Sequence, residues 1–266
     1  MSMRTTSTNY TLGTPPVTGA GLTVSAENLE QSLAGPVAAA VFDDAGLAGI
    51  EELLEGVADT EFTQETLAAL LNDEREPEAW RVGEALAEVY LCAQQFRYFP
   101  WPDGRDERKR GSSLPGADLV GFHAKGGTER FAFGEVKTSG ERNYPPGAAY
   151  GRHGLKQQLE DLRDRKSIRD DLVKYLGYRA VSASWQGRYR AAAAVYLRDY
   201  CEVRIFGILI RDVPPHEDDL RARVHSLAQD CPFSTEVALF AIYLPNGCIK
   251  TLGDKVMQHR RNGGAG

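Results

Sequence analysis

Two near-continuous apolar runs set the strongest limit on how this 266-residue chain can fold. They are VRIFGILI at 203–210 and VALFAIYLP at 237–245, and a helical pattern, DDLRARVHSLAQD, separates them. Strands that are apolar on both faces are typical of a sheet that is covered by helices on each side. The alternation of strands and helices therefore predicts an α/β fold with a mixed sheet flanked by helices.

The rest of the chain extends this pattern in both directions. Residues 25–76 contain two or three short helical patterns, SAENLEQSLAG, AGLAGIEELLEGVA and TQETLAALLND. Pro77 then opens a longer helix, EAWRVGEALAEVYLCAQQF. Two strands follow, ADLVGFHA and RFAFGEVKTS, and the intervening KGGT predicts a hairpin turn. Three further helical patterns, LKQQLEDLRDRK, IRDDLVKYLGY and GRYRAAAAVYLRDYC, lead to the apolar runs.

Composition along the chain predicts four regions. Residues 1–24 are rich in Thr, Gly and Pro and are predicted to form a flexible arm. Residues 25–76 form an acidic helical N-terminal region, residues 77–258 the α/β domain, and residues 259–266 a disordered tail. The N-terminus has no charged segment followed by an apolar one, and no apolar run approaches the roughly 20 residues of a membrane span. We therefore expect a cytoplasmic protein that has no membrane partner.

Charge is unevenly distributed. Residues 1–100 contain 4 Lys and Arg against 16 Asp and Glu, whereas the remaining residues contain 27 against 21. The basic remainder would attract a polyanion that the acidic first third would repel. The alternative is that the acidic helices only solvate the surface. The four cysteines are widely spaced and lack His neighbours at ligand spacing, which predicts buried free thiols.

The segment FGEVKTS places two charges in an apolar strand. Side chains alternate along a strand, so Glu135 and Lys137 share a face with Phe133, and Val136 lies on the other face. A charged pair in a core is costly without charged or hydrogen-bonding partners. Asp118, on the preceding strand, is the expected partner. The alternative is an ordinary cross-strand pair on the protein surface.

Two carboxylates beside one ammonium suit a divalent cation that also binds a phosphate. Hard oxygen ligands from Asp118 and Glu135, with the carbonyl of Val136, are predicted to hold Mg²⁺ or Mn²⁺. Lys137 would orient or deprotonate the attacking water and offset charge that builds on the phosphate.

The order of these residues, G-A-D followed by E-V-K on the next strand, resembles the active site of the PD-(D/E)XK nuclease superfamily. The resemblance covers about residues 78–245. It implies a restriction-endonuclease-like core and metal-dependent cleavage of nucleic-acid phosphodiesters, with DNA as the expected substrate. Gly-Ala, and not Pro, precedes the first acid, although Pro115 lies three residues upstream.

The same resemblance implies supporting residues on two helices. The helix before the hairpin supplies a glutamate in many superfamily members, and here Glu84 and Glu88 both lie off its apolar stripe. The G-E-x-L setting favours Glu84, and an ordinary solvated glutamate is the alternative for either. The helix after the hairpin supplies a Gln or Lys. Gln158 flanks the stripe of Leu155, Leu159 and Leu162, whereas Gln157 points away, so Gln158 is preferred.

Two basic loops bracket the predicted site and are candidates for positioning phosphates without reading sequence. The candidates for nucleic-acid contact are Arg105, Lys109 and Arg110 before Asp118, and Arg142, Arg152 and His153 after Lys137. Trp101 and Tyr144 are candidates for stacking on bases. The alternative is that these loop side chains are simply solvated.

A narrower resemblance rests on LPGADLVGF, FGEVKTS and GRHGLKQQLEDL together with the acidic helical N-terminal portion. These segments resemble the nuclease subunit of Hachiman-type antiphage defence systems. That resemblance implies a helicase partner that senses DNA and a nuclease that is held inactive until the helicase engages, with the acidic N-terminal third contacting the partner or covering the site. A non-catalytic nuclease-like module that serves to bind DNA or to build an assembly is the alternative function. A small-molecule phosphate enzyme is disfavoured, because no G-x-G-x-x-G or Walker loop follows a strand.

Overall fold

The computed structural model describes residues 3–71, 76–94, 97–101, 105 and 116–263. Its centre is a seven-stranded sheet with the order β1-β2-β7-β6-β5-β4-β3. The strands are β1 (Ser7–Thr14), β2 (Val17–Thr23), β3 (Arg97–Tyr98), β4 (Leu119–Lys125), β5 (Thr128–Ser139), β6 (Arg204–Arg211) and β7 (Glu236–Tyr243). The four strands β2, β7, β6 and β5 are mutually parallel, and β1, β4 and β3 pair antiparallel to their neighbours. The predicted mixed sheet of an α/β fold is confirmed.

Ten α-helices lie in the described part of the chain. They are α1 (Ala26–Ser32), α2 (Ala38–Phe42), α3 (Asp44–Leu53), α4 (Glu61–Leu71), α5 (Ala79–Ala93), α6 (Leu155–Asp164), α7 (Lys166–Ala180), α8 (Gln186–Tyr196), α9 (Arg221–Ala228) and α10 (Leu252–Gly263). A π-helical turn, Leu33–Val37, joins α1 to α2. Neither α3 nor α4 has a buried residue, whereas α5, α6, α7, α8 and α9 contact strands of the sheet.

Helices cover both faces of the sheet, as the apolar runs predict. On one face, Ala132 and Val136 of β5 pack with residues of α1, α5 and α10. On the other face, Phe131 and Phe133 pack with residues of α6, α7 and α8. The alternation along β5 therefore divides the core into two layers, and Glu135 belongs to the layer of Phe131 and Phe133.

The N-terminal arm predicted for residues 1–24 is wrong. Residues 7–23 form a hairpin, and β2 adds to the sheet in parallel with β7, where Val17 pairs with Val237. The glycines that suggest a loop are packing features. A Cβ at Gly19 would lie 2.7 Å from Val224 of α9, and one at Gly21 would overlap the ring of Tyr10.

The disordered tail predicted for residues 259–266 is also corrected. Helix α10 runs to Gly263, and residues 264–266 lie outside the described residues. Two side chains of this helix hold it to α1, because Lys255 donates to one oxygen of Glu30 and His259 lies 3.3 Å from the other. The Arg260 guanidinium lies over the ring of Phe42, 4.0 Å from its centroid.

All four cysteines are free, as predicted, but none is fully buried. Among the described residues, no single helix combines the length and apolar character needed to cross a membrane. Only the bent pair Ala26–Phe42 and Asp44–Leu53, kinked by 47°, reaches that length and composition together.

Close packing of α6 on the sheet depends on Gly207, which lies beside Glu135 in the β5–β6 register. A Cβ at this position would lie 2.6 Å from Cδ1 of the buried Leu159. We expect Gly207→Ala to lower the free energy of unfolding by about 1–3 kcal/mol in urea titrations, as overpacking of a core does. Gly187→Ala on α8, where a Cβ meets nothing within 4 Å, is the matched control and should be stabilising. An unchanged stability of Gly207→Ala would contradict this packing.

Candidate active site

The β4–β5 hairpin brings Asp118 beside Glu135. Leu119 pairs with Gly134 in the antiparallel register, and the same register carried one residue further places Asp118 opposite Glu135. Oδ2 of Asp118 accepts a hydrogen bond of 2.7 Å from the backbone N–H of Val136. The two strands that the predicted site requires therefore lie side by side.

Lys137 lies between the two carboxylates. Its ammonium donates a hydrogen bond to Oε1 of Glu135 and lies 4.0 Å from Oδ2 of Asp118. The Glu135 side chain is 0% exposed, whereas those of Lys137 and Asp118 are 22% and 16% exposed. A cross-strand pair on the protein surface does not describe this arrangement, because Glu135 is fully enclosed. The exposed side of the cluster belongs to Lys137 and Asp118.

Burial and like charge both disfavour ionisation of Glu135. Burial is the larger cause and the Asp118 carboxylate the next, and together they raise the pKa of Glu135 to about 9 despite the nearby ammonium of Lys137. Burial also disfavours the charged form of Lys137, but the attraction of Glu135 and Asp118 outweighs it and raises the Lys137 pKa. The cluster therefore holds more carboxyl groups than a single ammonium can stabilise in their charged form.

Two observations indicate that these residues are suited to bind a divalent cation. Oε2 of Glu135 is buried and accepts no hydrogen bond from any residue that the structure describes. The N–H and C=O of one residue in a strand point to the same side, so the Val136 carbonyl faces the side of Asp118. The donor set is two carboxylates and a carbonyl, the hard oxygens that Mg²⁺ and Mn²⁺ prefer. Within the described residues, no cluster of three or more His, Cys, Asp or Glu side chains has metal-site geometry.

Glu84 is the helix carboxylate that the structure brings near this cluster. The pKa of Glu84 is raised to about 8, first by burial and next by the charge of Asp118. Glu84 in turn contributes to the raised pKa of Lys137. Asp118 stands one residue before β4, at the sheet edge, where a side chain from α5 on the other face can approach it.

Glu88, one turn further along α5, has a different environment. Burial raises its pKa to about 7, and the charged groups that act on it are Arg81 and Asp43. Neither Asp118 nor Lys137 is among them. The two glutamates, between which periodicity does not choose, therefore differ in their electrostatic environment: the charges of Asp118 and Lys137 act on Glu84, whereas those of Arg81 and Asp43 act on Glu88.

Gln158 lies on the side of α6 that faces the sheet. Its Oε1 is buried and has no hydrogen-bond partner in the described part of the chain, and the next residue, Leu159, packs on Gly207 beside Glu135. Gln157 is exposed and donates to Asp161 instead, at 3.1 Å. Gln158 therefore lies toward the sheet and Gln157 toward solvent, as the sequence pattern predicts. The role of Gln158 stays a prediction.

The predicted nucleic-acid contacts differ in their surroundings. Arg105 donates to both carboxylate oxygens of Asp43, at 2.5 and 2.9 Å, and lies over the ring of Trp101. Its guanidinium is therefore engaged within the protein. Arg152 is exposed in the loop after β5. Lys109 and Arg110 lie outside the described residues.

The aromatic candidate Tyr144 is also held within the protein. Its ring stacks on His216 with centroids 4.7 Å apart, and its hydroxyl donates to the carbonyl of Pro214.

The site also contains Arg81, a residue that the sequence analysis does not identify. Arg81 donates to Oε2 of Glu84 at 3.2 Å and its side chain is only 15% exposed. It therefore holds the helix carboxylate while lowering the cost of its charge. The signal in the sequence is the i,i+3 spacing of Arg81 and Glu84 in AWRVGEA.

Comparison of the chain with models of known families and with curated proteins finds no match.

Proposed function

We propose that the protein is a metal-dependent nuclease that hydrolyses phosphodiester bonds in nucleic acid, with DNA as its substrate. The observation that carries the proposal is the convergence of Asp118, Glu135 and Lys137 at one edge of the sheet. Glu84 adds a third carboxylate to the same field. Such an excess of buried carboxylate over ammonium is useful only where a cation joins it.

In the proposed reaction, Asp118, Glu135 and the Val136 carbonyl hold Mg²⁺ or Mn²⁺, which when bound supplies Lewis acidity at the phosphate. Lys137 holds its proton in the metal-free protein, because both carboxylates favour the ammonium. It is suited to orient the attacking water and to offset the charge that grows on the phosphate. Arg81 keeps Glu84 turned toward the cluster. Enclosure of Glu135 keeps water away from one side of the site and strengthens these charge interactions.

We also propose, on the sequence resemblance alone, that the nuclease is the effector of an antiphage defence system and that a helicase controls it. The acidic first third of the chain, with α3 and α4 exposed, is the candidate region for that partner. A genomic neighbour that encodes a helicase would be the first support for this part of the proposal.

The test of the activity is incubation of the purified protein with supercoiled plasmid in Mg²⁺ or Mn²⁺, alone and with its genomic neighbour. We expect conversion to nicked or linear plasmid that EDTA abolishes. Binding with steep salt dependence but no cutting under either condition would favour the non-catalytic DNA-binding module and overturn the nuclease.

A matched pair of variants separates the two glutamates of α5. We expect Glu84→Gln to lower plasmid cleavage by about 10–100-fold, the usual effect of losing a group that supports metal ligands. Glu88→Gln, one turn away beside Asp43, should change cleavage by less than about threefold, since mutations outside the site act only through stability. Rates are compared under single-turnover conditions. Equal losses in both variants would contradict the assignment of Glu84.

A further inference from the structure

Three arginine side chains in the described part of the chain are almost fully enclosed. Arg169, Arg211 and Arg223 are 1%, 0% and 5% exposed. Arg169 donates to the carbonyls of Leu162 and Arg163, both at 2.6 Å. Two of these three guanidiniums have acceptors, because Arg211 likewise donates to Asp219 and to two backbone carbonyls.

Arg223 is the exception. Within the described residues its guanidinium has neither an ion pair nor a hydrogen-bond acceptor, and its Nε is enclosed without a partner. Its guanidinium lies over the ring of Tyr150, with Cζ 4.9 Å from the ring centroid. A cation–π contact offsets part of the cost of burying a charge but accepts none of the N–H groups. The two terminal nitrogens of Arg223 are not enclosed in this way, so an anion from solvent can reach the guanidinium and supply the acceptor that the described residues do not.

The position of this pair relates it to the candidate active site. Tyr150 lies in the loop at 140–154 that leaves β5 after Ser139, two residues beyond Lys137, and enters α6. Arg223 is in the first turn of α9, beyond the carboxyl end of β6. The carboxyl ends of the parallel strands β5 and β6 form one edge of the sheet, so Arg223 and Lys137 belong to the same edge. The Tyr150 side is open to solvent, because that residue is 51% exposed.

We propose that Arg223 and Tyr150 form a subsite that binds a backbone phosphate of the substrate strand, at the edge of the sheet to which Lys137 belongs. The identity of this ligand rests on the proposed nuclease function. A planar guanidinium matches phosphate oxygens in a bidentate manner. The exposed ring of Tyr150 offers a stacking surface for the adjoining base. Because neither group reads a base edge, the subsite positions the strand without sequence preference.

The test measures binding without cleavage. Anisotropy of a fluorescein-labelled oligonucleotide is followed in EDTA over a series of NaCl concentrations, with wild type and Arg223→Met. We expect about tenfold weaker binding, as for loss of a charge-assisted hydrogen bond. The slope of log K against log salt should fall by about 0.7–0.9, the value for one phosphate contact. Arg221→Met is the matched control, since Arg221 is exposed on the same helix and already paired with Glu217 and Asp218.

Two further measurements keep the test decisive if Arg223→Met alters the fold. Inorganic phosphate should raise the melting temperature of wild type and not that of Arg223→Met, which otherwise melts no lower than wild type because an unpaired buried charge is gone. Tyr150→Leu, at a half-exposed position, should weaken oligonucleotide binding several-fold with an unchanged salt slope, because it removes stacking and no charge. Wild-type affinity and slope in Arg223→Met, or wild-type affinity in Tyr150→Leu, would overturn the subsite.

The proposal of the subsite and the proposal of nuclease activity can be disproved separately. Plasmid cleavage by wild type together with unaltered binding in Arg223→Met would remove the subsite and leave the nuclease. Binding that depends on Arg223 in a protein that never cuts would support the subsite and remove the nuclease.

Discussion

Glu135→Gln is expected to lower metal-dependent plasmid cleavage by about 10³-fold or more, and Lys137→Met by about 10²–10³-fold, as for groups that act on transition-state charge. Glutamine keeps the volume of the fully enclosed Glu135 side chain but carries no charge for a cation. Methionine keeps the packing of the Lys137 stem but removes the ammonium beside both carboxylates. The measurement is single-turnover cleavage of supercoiled plasmid at saturating Mg²⁺ or Mn²⁺.

Lys125→Met serves as the control for these variants. Lys125 ends β4 at the far end of the same hairpin, is 60% exposed and pairs with Glu236. A surface ion pair contributes about 0–1 kcal/mol to stability, so this variant should cut at nearly the wild-type rate. If Glu135→Gln and Lys137→Met cut as fast as Lys125→Met, the site is assigned to the wrong residues.

Glu135→Gln is also expected to change the thermal stability of the protein. Without divalent cations, we expect Glu135→Gln to melt at a higher temperature than wild type. Burial and Asp118 raise the pKa of Glu135 from 4.5 to about 9, so the folded protein takes up a proton that the unfolded chain releases. Because the pKa of Glu135 is raised in the folded protein, the stability that its proton contributes is fully present below pH 4.5. This contribution is lost as the pH rises toward 9. At pH 8 the wild-type protein has lost most of this contribution to its stability. The Glu135→Gln variant avoids the loss, because glutamine does not titrate.

Thermal unfolding in EDTA at pH 5 and pH 8 checks this expectation. Each kcal/mol recovered should raise the melting temperature by about 2–4 °C for a chain of this size. The gain should be larger at pH 8 than at pH 5, and Mg²⁺ should stabilise wild type more than Glu135→Gln. Glu160→Gln, in a surface pair with Lys156, is the control and should show neither effect. A Glu135→Gln variant that is less stable at both pH values would show that Glu135 is held by compensating contacts.

The parts of the fold that the sequence predicts are those with a strong local pattern. The apolar runs of β6 and β7 and the KGGT hairpin identify the centre of the sheet, because burial on both faces and a tight turn leave clear signals. The β1–β2 hairpin has no such signal. Its Thr and Gly residues resemble a loop, and its partner strand β7 lies more than 200 residues away in sequence. Only the packing of Tyr10 and Val224 explains why glycine is required there.

The candidate site likewise contains features that the sequence predicts and features that it does not. Strand alternation is enough to place Glu135 and Lys137 on one face, and a hairpin is enough to bring Asp118 to them. The choice between Glu84 and Glu88 is not a matter of period, because both lie off the apolar stripe and only the tertiary position of α5 decides which one faces Asp118. The pairing of Arg105 with Asp43, 62 residues away, and the isolation of Arg223 likewise depend on contacts that no local pattern records.

Anomalous diffraction from crystals soaked in Mn²⁺ tests the central claim most directly. We expect an anomalous peak within about 2.0–2.4 Å of carboxylate oxygens of Asp118 and Glu135 and of the Val136 carbonyl, the range of hard cations bound to oxygen. The peak should be absent from crystals of Glu135→Gln. A protein that cleaves plasmid in Mn²⁺ but shows its Mn²⁺ peak elsewhere, or none between these residues, would contradict the assignment of this cluster as the metal-dependent active site.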